Sequence, residues 1–212
     1  GCYYIVPDKI KNFILFIGSL CFYFVGTIHN PEHFILFILS IVADFADGIW
    51  IEKFPARKKV LLATGIIFHL INFAVFKYSG FVINEMGRLN PSFNFTADVV
   101  LPIGISFYTF QGISYIVDVY RGNAKAERSL LRYAVYISMF EQLIAGPIVT
   151  YGQVEKELYK RKIKVSSVLK GMGVFIFGLG LKVLLANPIG KLWSQTCAIG
   201  FESISTPLAW MA

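Results

Sequence analysis

Only three cysteines occur in 212 residues, and Cys2, Cys21 and Cys197 lie far apart with no Cys-x-x-Cys spacing, which leaves neither a disulfide framework nor a metal site. Histidine is equally sparse. His29 and His33 flank the Asn30-Pro31 turn without nearby ligand partners, the pattern of ordinary turn histidines, and a lone mid-helix His69 reads as a hydrogen-bonded packing residue. A nucleotide-binding loop is excluded, because Gly180-Leu181-Lys182 lacks the Gly-Lys-Ser/Thr signature and no strand precedes it. No small-residue cleavage site follows the first apolar run, and Gly1 lacks the Ser or Thr of a myristoylation signal. The chain opens without Met and stops where another apolar segment begins, so it reads as a fragment.

What is abundant is apolar. Hydrophobic residues make up 56% and aromatic residues 16%, and the mean hydropathy of +0.61 does not fit a soluble chain of this length. A helix needs roughly 20 apolar residues to cross the hydrocarbon, and five or six candidates follow one another on short links. The expectation is an all-α, polytopic transmembrane helical bundle occupying 1–212 as a single membrane domain, N-terminal in a longer protein. The net charge of +7 falls in loops between apolar runs, where it sets orientation in the bilayer; nucleic acid is not a partner.

In chain order, Lys9–Thr27 is a first span and Glu32–Ile51 a second. The second carries Asp44 and Asp47 one turn apart. They are either interface-hydrated or paired with a neighbouring Lys, or else they take part in chemistry, as intramembrane carboxylates often do. Lys53, Arg57, Lys58 and Lys59 form a basic link that the positive-inside rule places in the cytoplasm. Val60–Phe76 then runs outward, Tyr78–Asp98 reads as an outer loop, and Val99–Tyr120 returns. Along this fourth span Gln111, Ser114, Asp118 and Arg121 recur at steps of 3, 4 and 3, one helical face, opposite Ile105, Ile113, Ile116 and Val117. The polar face is expected to point into the bundle, with Asp118 and Arg121 paired at its cytoplasmic end.

Ser129–Tyr151 poses a conflict. If it crossed the bilayer, Lys156, Lys160, Arg161, Lys162 and Lys164 would all lie outside, against the orientation rule. A re-entrant path that breaks at Ala145-Gly146-Pro147 keeps both basic clusters inside, with Gln142 available to hydrogen-bond there; a Pro-kinked full span is the alternative. Tyr151–Lys164 reads equally as an interfacial amphipathic helix or as a solvated basic loop. Val168–Ala186 is a further span whose Gly171, Gly173, Gly178 and Gly180 suggest a close-packing seam.

The segment LPIGISFYTFQGISYIVDVYRG, followed by QLIAGPI within the core region 99–150, resembles the membrane-bound O-acyltransferases (MBOAT), specifically the AlgI-like, alginate O-acetyltransferase branch. NFILFIGSLCFYF and NFAVFKYSGF are similar to the family's first helices, so the likeness covers nearly the whole chain. One departure is Glu141, where family members have Pro.

The resemblance implies an enzyme of the bacterial plasma membrane that transfers an acyl group, usually acetyl, from a cytoplasmic thioester to a hydroxyl of an exported polysaccharide or cell-wall polymer. The donor is acetyl-CoA or an acyl carrier thioester, present as substrate rather than bound cofactor, and a second extracytoplasmic acyltransferase can intervene. It also implies an intramembrane catalytic His after a Trp-rich stretch, which none of this chain's histidines matches; the fragment is expected to be inactive alone. Gln111, Ser114, Asp118, Arg121, Gln142, Gly146 and Pro147 remain as chamber-lining or structural candidates. From the residues alone, a transporter or flippase, or a non-enzymatic subunit of a polysaccharide export complex, accounts for the same polar stripe and broken helix.

Overall fold

A computed structural model describes residues 6–89, 100–143, 146–159, 164–199 and 205–207. It is all helix and turn among these residues, and it divides into two compact units, Gly1–Arg161 and Lys162–Ala212.

In the first unit, α1 (Asp8–Gly26) ends where the Thr27 hydroxyl and N–H bond back to the Tyr23 carbonyl. The helix α2 (Pro31–Lys53) starts on a proline at its first position, where the missing N–H costs nothing. A 3-10 turn, Pro55–Arg57, leads into α3 (Lys58–Leu89). Of these, α2 and the Pro55–Leu89 stretch are long and apolar enough to cross a membrane, as is Val165–Ile199 in the second unit, which makes the chain an integral membrane protein. The expected outer loop from Tyr78 is corrected: α3 continues helically to Leu89, with an exposed Arg88–Glu85 pair at 2.7 Å near its end. The remainder of that loop, 90–99, lies outside the described residues.

Next comes α4 (Ile105–Arg121), bracketed by Gly104 and Gly122, which take left-handed φ values of 70° and 79° that a side chain would resist. Its 17 residues rise only about 25 Å, so it is shorter than the full span expected over Val99–Tyr120. The chain then forms α5 (Leu130–Ser138), a break at Met139, and the single turn α6 (Phe140–Leu143). After an extended stretch, α7 (Tyr151–Tyr159) follows.

These helices pack by their small residues. Gly48 of α2 lies under the Tyr115 ring, Gly65 of α3 under Asp47 and Ile116, and Gly112 of α4 against Asp44 and His69. Close backbone approach is what α2, α3 and α4 need to share one core, while α1 packs on α5. The core is unusually phenolic, with Tyr23, Tyr108, Tyr115, Tyr133, Tyr136 and Tyr151 all at 1% exposure or less. Phe37 stacks on Tyr23 at 4.1 Å and meets Tyr108 edge-on at 5.2 Å.

The second unit is one long helical rod: α8 (Val165–Leu181), a π-turn at Lys182–Ala186 and α9 (Asn187–Ile199). The π-turn carries the helix past Pro188, whose ring and missing N–H would otherwise break it. At Gly171, Gly173, Gly178 and Gly180 an added methyl group would meet no atom within 4 Å, so the expected glycine seam is unpartnered among the described residues.

Candidate functional site

Among the described residues, the Lys53–Lys59 link and the Arg121–Arg132 link meet at one end of the first unit. Arg128 pairs with Glu52 at 2.9 Å, joining the α4–α5 link to the end of α2, and the Lys58 ammonium lies 4.8 Å from the Tyr120 ring centroid. Asn12 of α1 donates to the Leu158 carbonyl of α7 at 2.9 Å. At the opposite end lie the α1–α2 turn, His33 against the Phe76 ring, and Gly26 close to Ile103.

At the basic end, Glu127 is the organising residue. Its carboxylate accepts from Arg132 Nη2 at 2.7 Å and Nε at 3.1 Å, from the Tyr151 hydroxyl, and from the backbone N–H groups of Arg128 and Ser129, each at 2.7 Å. Its own N–H donates to the Tyr115 hydroxyl at 2.9 Å. One residue thus ties α4, through its N–H, to α5 and α7, through its carboxylate. Burial alone would raise its pKa, but Arg132, Tyr151 and the Ser129 N–H outweigh it and hold the carboxyl below its ordinary range. Burial and then Glu127 push the Tyr151 phenol upward. Beside this cage opens a cavity of about 310 Å³ lined by Glu52, Lys125, Arg128, Tyr151, Glu155 and Tyr159. Sequence reasoning missed Glu127. The available signal was its position as the lone acid between Asp118 and Glu141, in a link otherwise carrying Arg121, Lys125, Arg128 and Arg132.

Deeper in the bundle, His69 Nε2 and Asp44 Oδ1 are 2.5 Å apart, and the Tyr133 hydroxyl donates to Asp44 Oδ2 at 3.1 Å. Asp44 is 2% exposed, so the reading of a hydrated or lysine-paired carboxylate is corrected for this residue: its partner is a histidine 25 positions on. His69 is hydrogen-bonded, as expected. Asp47 is half-buried beside Gly65.

The α5–α6 segment does not run straight. Tyr136 donates to the Val149 carbonyl at 2.8 Å and Tyr151 reaches Glu127, so the chain leaves the basic end as helix and comes back to it extended. At the far point Leu143 packs on Gly104, and Phe140 meets Phe22 with ring centroids 5.8 Å apart. The break begins earlier than expected, at Ser138–Met139, where ψ of 113° at Met139 ends the helix. Of the expected break, Gly146 (φ 124°) and Pro147 are exposed in the returning limb and Ala145 lies outside the described residues. Glu141 is exposed on α6. The segment from Tyr151 is helix rather than loop, as far as Tyr159, with Tyr151 and Leu158 buried against the bundle.

The polar stripe of α4 divides. Gln111 is buried and donates from Nε2 to Gln142 Oε1 at 3.0 Å, which brings together two candidates 31 residues apart. Ser114 and Asp118 are half-buried, and Arg121 is exposed. The expected Asp118–Arg121 pair is absent among the described residues; Asp118 instead uses its backbone carbonyl to close the helix at Gly122–Asn123. Ile105 and Ile116, opposite the polar stripe, are buried as well, at 1% and 0% exposure, with Ile116 against Gly65 of α3, and Tyr108 and Tyr115 are buried with them.

Among known proteins, the chain is 30% identical over 218 residues to the probable alginate O-acetylase AlgI of Pseudomonas aeruginosa, covering 100% of the chain and 41% of that protein. With the protein of the same name from Azotobacter vinelandii it shares 30% over 218 residues, covering 43% of that relative. It is also 27% identical over 246 residues to the peptidoglycan O-acetyltransferase of Helicobacter pylori, covering 99% of the chain and 45% of the relative. The chain therefore spans less than half the length of these relatives. No family model and no solved structure matches it.

Proposed function

We propose that the chain, which is similar along its whole length to AlgI proteins, is the N-terminal part of a multi-pass membrane O-acetyltransferase of the membrane-bound O-acyltransferase family. Its acceptor is a hydroxyl of an exported or cell-wall polysaccharide. The observation that carries this reading is the similarity, along the whole of this chain, to relatives named for O-acetylation of two different polymers. Under the positive-inside rule the basic end faces the cytoplasm, in the inner membrane of a bacterium. A thioester donor then arrives at the end held by Glu127, and the acceptor at the end where Leu143 meets Gly104.

The folded-back segment suits that task. Backbone that is not helical at membrane depth is tolerated only when protein or a polar cavity covers it, and here Tyr136 satisfies one carbonyl of the returning limb. A chain folded back beside its own helices brings walls to a chamber from which water is kept, as an acyl thioester would otherwise hydrolyse. Chain beyond this segment supplies the histidine base; the helices described here supply walls and the approach from each side.

The test is genetic and chemical. Deleting the full-length gene should remove ester-linked acetate from the cell-surface polysaccharide, and restoring it should return the acetate, as read by base-labile acetate release. Unchanged polymer acetylation in the deletion strain refutes the assignment.

A further inference from the structure

Along α1 runs a groove of about 360 Å³, lined by Ile14, Leu15, Gly18, Ser19 and Phe22 of that helix and by Phe140 of α6. Its shape follows from the order of side-chain sizes. Gly18 and Ser19 stand one turn after Ile14 and Leu15 and one turn before Phe22, so large, small and large residues succeed one another along one helical face. An added methyl group at Gly18 would meet no atom within 4 Å. Phe140, whose ring centroid lies 5.8 Å from that of Phe22, closes the groove at one side.

One polar side chain stands in this apolar lining, and it is unpaired. Ser19 is 1% exposed, and its hydroxyl has no hydrogen-bond partner among the described residues. A helical serine can return its hydroxyl to the carbonyl one turn back, as Ser40 does to Leu36 at 2.9 Å; Ser19 does not. A buried hydroxyl left unsatisfied is costly, and a lipid tail has nothing to give it. The groove therefore fits an occupant that is apolar where it meets Gly18 and carries a hydrogen-bonding group as well. A transmembrane helix has both.

We infer that the groove receives a transmembrane helix from the chain that follows Ala212, which sets an apolar side chain over Gly18 and completes the Ser19 hydrogen bond. The inference rests on reading the chain as the N-terminal part of a longer membrane protein and is independent of acetyl transfer. The chain covers only 41–45% of the relatives named above, so a protein of their length has more than half of its residues to pack against these helices. The position of Phe140 favours the protein's own chain over a second copy. It begins the turn that follows the Ser138–Met139 break, and broken backbone at membrane depth is tolerated only under a cover of protein or a water-lined cavity. A cover that the monomer needs in order to fold comes from the same chain. A helix seated on Phe22 and Phe140 also lies beside α6, whose Gln142 holds Gln111 of the interior.

The experiment uses the full-length protein in its membrane, with the photoreactive p-benzoylphenylalanine in place of Phe22. Irradiation should give an intramolecular cross-link to a peptide beyond residue 212, read by mass spectrometry after proteolysis. Cross-links confined to phospholipid, to a second copy or to residues 1–212 overturn the inference, and so does the absence of any. A second measurement guards against a disturbed fold. Gly18→Leu fills the groove, and should lower the unfolding temperature of the purified full-length protein by about 2–10 °C and reduce the cross-link. An unchanged or raised unfolding temperature would mean that the groove faces lipid. Both readouts are structural, so polymer that keeps its acetate in the deletion strain would refute the enzymatic reading and leave this one standing.

Discussion

Replacing His69 by Leu leaves the Asp44 carboxylate with a single side-chain donor, Tyr133, at a position only 2% exposed. An uncompensated buried charge costs about 3–5 kcal/mol, a large part of the total stability of a marginally stable bundle. Asp44→Asn keeps an oxygen for Tyr133 and loses the charge-assisted bond to the imidazole at 2.5 Å, about 1.5–3 kcal/mol. If the two side chains act on each other, the double variant Asp44→Asn, His69→Leu is less damaged than the sum of the single ones by about 1.5–3 kcal/mol, since removing both partners leaves no charge to satisfy. The assay is reversible unfolding of the full-length protein by denaturing detergent, followed by tyrosine and tryptophan fluorescence. Single effects that add within about 0.5 kcal/mol would refute the coupling and, with it, the claim that this pair locks α2 to α3.

Three more outcomes are expected. Gly112→Ala drives a methyl group into Asp44 and His69, and should destabilise the bundle by about 1–3 kcal/mol; a variant as stable as wild type in the same assay contradicts the packing. Glu127 has a folded-state pKa below its ordinary value of 4.5, so its cage contributes stability that is complete above that value and is lost as pH falls through the folded value. Glu127→Gln should flatten this acid-side slope between pH 6 and 3 (about the carboxylate range), and parallel wild-type and variant curves would count against it. Lastly, with Cys2, Cys21 and Cys197 removed, a single cysteine at Lys156, exposed on α7, should resist an impermeant thiol reagent in intact cells and react in inverted vesicles. Ready labelling from outside would mean that the α5–α7 segment crosses the bilayer.

Composition alone determined the solvent of this protein, and charge placement carried the orientation proposed for it. Apolar runs of spanning length cannot be left in water, and basic links gather at one end because each helix reverses direction. The conflict of signs around Lys156 likewise implied a chain that turns back, and the Tyr151–Glu127 contact has that geometry. Partners distant in the chain were decided only in three dimensions. Asp44 meets His69 because Gly112, on a third helix, is small enough to let them approach. Nothing in the local pattern around either residue encodes that gap. The same holds for the inner face of α4: the 3-4-3 spacing of Gln111, Ser114, Asp118 and Arg121 was legible, yet which side is buried depends on where Tyr108 and Tyr115 find Phe37 and Tyr133. Helical periodicity defines faces relative to one another, and only the neighbouring helices choose which face becomes the inside.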